Sequence, residues 1–459
     1  MSGTFKRAKT RLGLVLSLGQ TAKNLGPSLL IFGIMLMALA VGGDLSWAAG
    51  PDKGGPTPEA APASPGPKDE EKAAPAPPWL KIVQTGGPTE VSQAFKKDFK
   101  LETIEPDGLT PLMIAAAANP NPLVIKVLID AGSDPEAMET RFGYNALRLA
   151  ALFNANPSVA LALVTGPDSI NARDFSGNTA VTLAATRNPN PLMIQTLVKA
   201  GGDLTLKDDQ GLSSLTLAAL RNPSLAVIQK IISLGAEIDQ VCPEGETALI
   251  KMARTGSSLE VFSELIKAGA KLEARSKNGE TPFLAASQNP NENFQKILLA
   301  AGADPKALDN SGNNALFGAA LTNTNPEVLK NLLRLGLDIN HQNSLGLTPL
   351  MTAVANPDPE ITRLLIIQGA DPNIKNNSGR DALMVAARVS GEPMVIKTLL
   401  AAGAKPNVKD KNGLNALEIA EQNPAREIVA LLKDWAANQK DPKQSKTPPK
   451  SSPTNGAKP

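Results

Sequence analysis

Glycine returns in this chain at Gly108, Gly143, Gly177, Gly211, Gly245, Gly279, Gly312, Gly346, Gly379 and Gly413, at steps of 35, 34, 34, 34, 34, 33, 34, 33 and 34 residues. A fixed period of this size leaves few folds open. Each repeat is one supersecondary unit, too small to bury a core of its own, and must stack on its neighbours. Length alone suggests about three closed domains; the period replaces them with a single array.

The residues inside one period say what the unit is. Two positions after each glycine stand Thr110, Asn145, Thr179, Ser213, Thr247, Thr281, Asn314, Thr348, Asp381 and Asn415. All are good helix N-caps, since a short side-chain oxygen can accept from the orphan N–H groups of the first turn. Pro111, Pro282 and Pro349 follow at the first helical position, where a missing N–H costs nothing. Alanine pairs such as Ala115–Ala116 and Ala150–Ala151 let neighbouring helices approach closely. An Asn-Pro break follows, as at Asn119–Pro120, Asn188–Pro189, Asn222–Pro223 and Asn356–Pro357. A second helix is capped by Asn121, Asn190, Asn325 or Asp358, each followed by proline. Gly132, Gly201, Gly235, Gly269, Gly302, Gly336, Gly369 and Gly403 then suit the left-handed position that ends a helix. The unit is therefore two short helices and a long turn. Helices of about ten residues are marginal alone in water, so stacking must hold them.

This unit resembles an ankyrin repeat. Gly346, Thr348, Pro349 and Leu350, followed by Leu364–Leu365, Gly369–Ala370–Asp371 and Asn373, match that family's pattern, and the resemblance covers residues 79–437. It implies an all-α ankyrin-repeat solenoid of about ten helix–turn–helix units, with long turns between them and an N-terminal capping unit. A tetratricopeptide array shares the period but lacks the recurring glycine turn after the second helix. The family's histidine after Thr-Pro-Leu is replaced here by Met113, Arg148, Thr182, Thr216, Ile250, Leu284, Phe317, Met351, Met384 and Glu418. The hydrogen bonds it usually makes must be absent or replaced. The turn Thr165–Ile170 also departs from the pattern, making the second full unit the expected local irregularity.

Outside the array the chain changes character. In residues 1–48, Lys6, Arg7, Lys9, Arg11 and Lys23 precede the uncharged apolar run Leu29–Val41, and Ser46-Trp47-Ala48 sets small residues at cleavage-site positions. This reads as a secretory signal cleaved after Ala48, placing the mature protein in a periplasm, at a cell surface or outside the cell. The run is short of the roughly 20 residues a spanning helix needs. The competing reading is an uncleaved inner-membrane anchor, and membrane contact is expected only in that case. Residues 49–78 form a Pro/Ala-rich linker, and 438–459 a basic tail expected to be disordered. The array holds 33 basic against 37 acidic residues, a balance that does not point to nucleic acid.

Catalytic chemistry needs convergent titratable groups, and the sequence offers few. One His and one Cys leave little for metal sites or nucleophilic triads, and nucleotide-binding, zincin and redox motifs do not occur. His341 reads as a solvated turn residue, and Cys242 as a partly exposed, inert thiol. The recurrent turn acids Asp174, Asp208, Asp309 and Asp410 read as acceptors for local backbone N–H groups. No enzyme, cofactor, metal or small-molecule substrate is expected.

A binding module remains, with specificity at turn tips and on the first-helix face. Most tips are small or polar, as at Ser176, Gln210, Ser311 and Asn412. One neighbourhood differs: Arg141, Phe142 and Tyr144 flank one opening glycine, and Arg173 and Phe175 precede the next. Aromatics and arginine are over-represented at protein–protein hot spots. Arg148, Arg187, Arg221 and Arg254 extend a basic stripe along the first helices. The expected function is a monomeric, exported module that binds a protein partner through this surface. The second reading is a structural envelope component tethered to the membrane.

Overall fold

The computed structural model describes residues 78–96, 108–390, 392–422 and 426–439. Residues 1–77 and 440–459 lie outside, and with them the expected signal, nearly all of the linker and most of the tail. The described residues hold 23 α-helices and one isolated antiparallel bridge, between Lys207 and Ser213. The chain divides into two compact units, residues 1–237 and 238–459.

In the first unit the cap helices α1 (Pro78–Thr85) and α2 (Pro88–Lys96) are followed by α3 (Pro111–Ala118) and α4 (Pro122–Asp130). Next come α5 (Ala146–Phe153), α6 (Pro157–Leu161), α7 (Pro167–Asn171), α8 (Ala180–Arg187) and α9 (Pro191–Lys199), then α10 (Ser214–Arg221) and α11 (Leu225–Ser233). The first helices α1, α3, α5, α8 and α10 pack in chain order, and α2, α4, α6, α9 and α11 form the second row. In the second unit α12 (Ala248–Thr255), α14 (Pro282–Ala286), α16 (Ala315–Thr322), α18 (Pro349–Ala353), α20 (Ala382–Val389) and α22 (Ala416–Ala420) form the first row. The second row there is α13 (Leu259–Lys267), α15 (Asn293–Ala301), α17 (Pro326–Arg334), α19 (Pro359–Ile367), α21 (Pro393–Ala401) and α23 (Arg426–Gln439).

The capping logic holds at all ten first helices: each side chain from Thr110 to Asn415 accepts a backbone N–H two or three residues on. The alanine pairs are buried, so the first helices meet almost backbone to backbone. Where the family histidine is missing, Thr182 and Glu418 accept the N–H of the capping residue in return, at 2.7 Å each.

Departures from 34 residues have local causes. The two 33-residue steps contain α14 and α18, first helices of five residues where most sisters have eight. The 35-residue step places its extra residue in the turn before Gly143. There the carboxylate of Glu139 accepts N–H groups from Arg141 and Phe142 at 2.7 Å and from Tyr144 at 2.9 Å. Sister turns use Asp: Asp309, for example, accepts from Ser311 and Asn313 at 2.8 and 2.9 Å. One added methylene lets the carboxylate reach around one added residue. The expected irregularity is also present. Helix α6 stops after five residues and α7 follows it, with Ser169 Oγ accepting from Thr165 and Gly166.

Two ladders join successive repeats inside each unit. The Asn that follows most first helices, before proline in several repeats, is buried, and its amide donates to two carbonyls of the preceding repeat. Asn154 reaches the Ala116 and Asn119 oxygens at 2.8 Å, and Asn323 those of Ser287 and Asn289 at 2.8 and 2.9 Å. At most turns, the residue two before an opening glycine donates its N–H to the preceding turn. Phe175 reaches the Phe142 oxygen at 3.0 Å, and Ser344 that of Ser311 at 2.9 Å. The opening glycine is required by this closeness as well as by its positive φ. A Cβ on Gly177 would stand 2.2 Å from Asp209 Oδ1.

Candidate functional site

The turn ladder brings the predicted aromatic neighbourhood together. Phe142 stacks on Tyr144 at 5.3 Å between ring centroids, and the Arg141 guanidinium lies 5.2 Å from the Phe142 centroid. The Phe175 ring covers Gly143, where an added Cβ would meet it at 2.7 Å. Phe175 remains 61 % exposed, Arg141 is exposed and Phe142 half-buried.

Two of the predicted residues face inward and correct the expected surface. Tyr144 is 8 % exposed. It follows the opening glycine, its N–H is committed to Glu139, and its ring is pressed under Phe142. Burial, with the charges of Asp174 and Glu139 adding, pushes its hydroxyl well above the ordinary tyrosine range. Arg148 is 2 % exposed, because the third position of α5 turns into the stack. Its guanidinium donates to the Gly143 oxygen at 3.3 Å. Burial lowers its proton affinity, while Asp174 and Glu136 act the other way. These two side chains support the turn rather than contact a partner.

The remaining arginines divide by unit. Arg173 is exposed and pins adjacent turns, donating to the Gly177 and Lys207 oxygens at 3.3 and 2.9 Å. Arg187 is half-buried and Arg221 exposed. Although the residue as a whole is exposed, partial desolvation of its guanidinium lowers the proton affinity of Arg221, and the positive charge of Arg187 lowers it further against the pull of Asp208. Arg254, in the second unit, is held by Glu246 at 2.5 Å and by Glu280. In the first unit the basic stripe is therefore Arg187 and Arg221, near enough to feel each other's charge, with Arg141 and Arg173 exposed on the turns.

Cys242 is 6 % exposed and so more deeply buried than expected; it lies in a turn closed by bonds between its own backbone and Glu246 and Gly245. Its Sγ and the carboxylates of Glu244 and Glu246 lie within 4.8 Å of one another, which is metal-ligand spacing. Cys242 already donates to Glu244 at 2.8 Å, however, and Glu246 is engaged by Lys251 and Arg254. His341 is half-buried, with Nε2 2.8 Å from the Gly312 oxygen and its ring edge-on to Phe317 at 6.1 Å. It ties one turn to the next where solvation was expected. The turn acids behave as read: Asp174 accepts from Ser176 and Asn178 at 2.8 and 2.7 Å.

Sequence reasoning missed a cleft of about 370 Å³ in the second unit, lined by Glu280, Leu284, Phe317, Gly318, Leu321 and Leu345. One signal was present: α14 beside it is shortened, while Gly318 is a glycine because a Cβ there would stand 2.3 Å from Ser287 Oγ.

The family model described as ankyrin repeats (3 copies) matches residues 112–208, 215–309, 283–376, 316–410 and 350–445. No curated protein matches the chain. Ten helix pairs with capped first helices on a 34-residue period, eight of them closed by left-handed glycines and most of the chain's length matched, place this protein in the ankyrin repeat family.

Proposed function

We propose that this chain is an exported, non-enzymatic module that captures a protein partner on the turn face formed by Arg141, Phe142, Arg173 and Phe175, with Arg187 and Arg221 beside it. Ankyrin repeats are in general protein–protein interaction modules; this reading adds where the partner sits. The observation that carries it is the Phe175 ring, 61 % exposed yet backed by Gly143 and the hydrogen-bonded turn. An aromatic side chain held on a rigid backbone contributes contact area on docking at little ordering cost. Arg141, seated over Phe142, adds a cation with a fixed position.

The test is Phe175→Ala combined with Arg141→Ala. Both side chains are exposed, so partner capture is lost while helical content and melting stay unchanged. Capture that survives the double substitution overturns the reading. The pair Phe142→Ala with Tyr144→Ala cannot serve, because Tyr144 is core. Export rests on the pattern of residues 1–48. A mature terminus at Ala49 in a soluble exported fraction supports it, and an intact Met1 or Ser2 terminus in membranes overturns it.

A further inference from the structure

The cleft of the second unit is walled by two leucines that stand out of pattern. Leu345 occupies the turn tip before Gly346, where the other tips of this unit are Glu244, Asn278, Ser311, Ser378 and Asn412. Leu321 is the seventh residue of α16, where the other first helices of the unit carry Arg254, Gln288, Ala355, Arg388 and Gln422. The two leucines are 62 % and 43 % exposed, and they line one cleft together with the buried Leu284 and Phe317. Single exposed apolar side chains are ordinary on a protein surface. Two that converge on one recess leave apolar area that a docking group can remove from water.

Hydrogen bonds fix this wall. Asn343 Oδ1 accepts the N–H groups of Leu345 and Leu347 at 3.0 and 2.9 Å. Its amide donates to Asn313 Oδ1 at 2.8 Å, and the Asn313 amide donates to Asp309 Oδ2 at 2.8 Å. The tip that presents Leu345 is thus tied to the preceding turn, and docking has little left to order there.

One repeat earlier the lining is acidic. It includes Asp309 and Glu280 and no basic side chain. Asp309 is held by neutral donors, the Ser311 and Asn313 N–H groups and the Asn313 amide. None of the ion pairs among the described residues includes it. Glu280 accepts from Gln288 at 2.6 Å and from Arg254, a cation it shares with Glu246. Burial raises the proton affinity of Glu280, and the charge of Asp309 adds to this against the pull of Arg254. Arg275 donates to the Gly279 and Leu308 oxygens rather than to a carboxylate. Neutral donors leave a carboxylate its charge, so this part of the cleft favours a cation.

We propose that the cleft is a second docking site, independent of the turn face of the first unit, for an extended segment of another protein that carries a leucine-sized apolar side chain and a lysine or arginine. The apolar side chain sits between Leu321 and Leu345, and the base reaches Asp309 and Glu280. Packed helices stand about 8–10 Å apart and an extended chain rises about 3.3 Å per residue, so the two anchors lie about three residues apart.

The test is selection of a random peptide library on the full chain, with fluorescence anisotropy of the enriched peptides after synthesis. The expected class carries an apolar residue and, about three positions away, Lys or Arg. Its affinity falls by about tenfold or more in the Leu321→Ser, Leu345→Ser double variant. Both leucines are exposed, so melting of that variant stays unchanged. Affinity also falls when the base of the peptide is replaced by Glu, and it holds in the Phe175→Ala, Arg141→Ala variant, which separates this site from the turn face. The absence of such a class, enrichment of acidic peptides, or binding indifferent to the leucine pair overturns the proposal. So does a class that binds only once residues 440–459 are removed, or a dimer of the chain abolished by the serine pair. The cleft would then belong to this chain's own tail or to a second copy.

Discussion

The turn around Gly143 and the turn around Gly245 occupy the same register of the repeat and depart from it in opposite directions. The first is one residue too long, and Glu139 compensates by holding three backbone N–H groups on one carboxylate. The second has the ordinary length but replaces the acceptor. Cys242 stands where Asp309, Asn343 and Asn376 present an oxygen, and its thiol donates instead to Glu244. An irregular length is thus absorbed by one methylene. A regular length with the wrong side chain gives up its acceptor. The over-long turn carries the aromatic face; the ordinary one carries the chain's single thiol.

Breaking the first turn has the largest expected effect. Glu139→Ala leaves three N–H groups without their acceptor, in a turn that supports Tyr144 and Phe142. Unpaired buried groups cost about 1–3 kcal/mol each, and relaxation recovers part of that, so a loss of about 3 kcal/mol is expected for the 108–237 block in urea denaturation. Glu139→Asp sharpens the comparison. The shorter carboxylate cannot span the extra residue, and about half that loss follows. No change would show that carboxylate reach does not set the turn. Repairing the other turn has the smallest effect. Cys242→Asn offers the oxygen that Asn343 and Asn376 use, without adding charge beside Glu244 and Glu246. A gain of about 1 kcal/mol or less in the 238–439 block is expected. A loss would mean that the Cys242–Glu244 contact matters more than the missing acceptor.

Much of the fold was legible because repeat chemistry is local. A cap such as Thr110 and a terminator such as Gly132 act within one turn of chain, so spacing alone exposes them. The amide ladder was not legible in this way. Asn119 and Asn188 read as loop residues before proline, and their partners lie 33 to 37 positions away, visible only once the repeats are stacked. At the candidate face, sequence grouped the right residues but not their directions. Phe142 and Tyr144 are two apart, yet one edge stays half-exposed while the other is sealed, because Glu139 curls the turn around Gly143. Arg148 was read as surface since arginine usually is. The third position of α5 faces the stack whatever residue occupies it, as buried Met113 and Ile250 at sister positions show.

The most direct measurement places a photo-crosslinking amino acid at position 175, and separately at Asn412, a polar turn tip in the other unit, in the protein expressed in its native cells. The account predicts one saturable adduct of defined mass from position 175, lost when Arg141→Ala is added, and none from position 412. Equal adducts from both positions, or an adduct from 175 indifferent to Arg141, would contradict the claim that this turn face holds the partner.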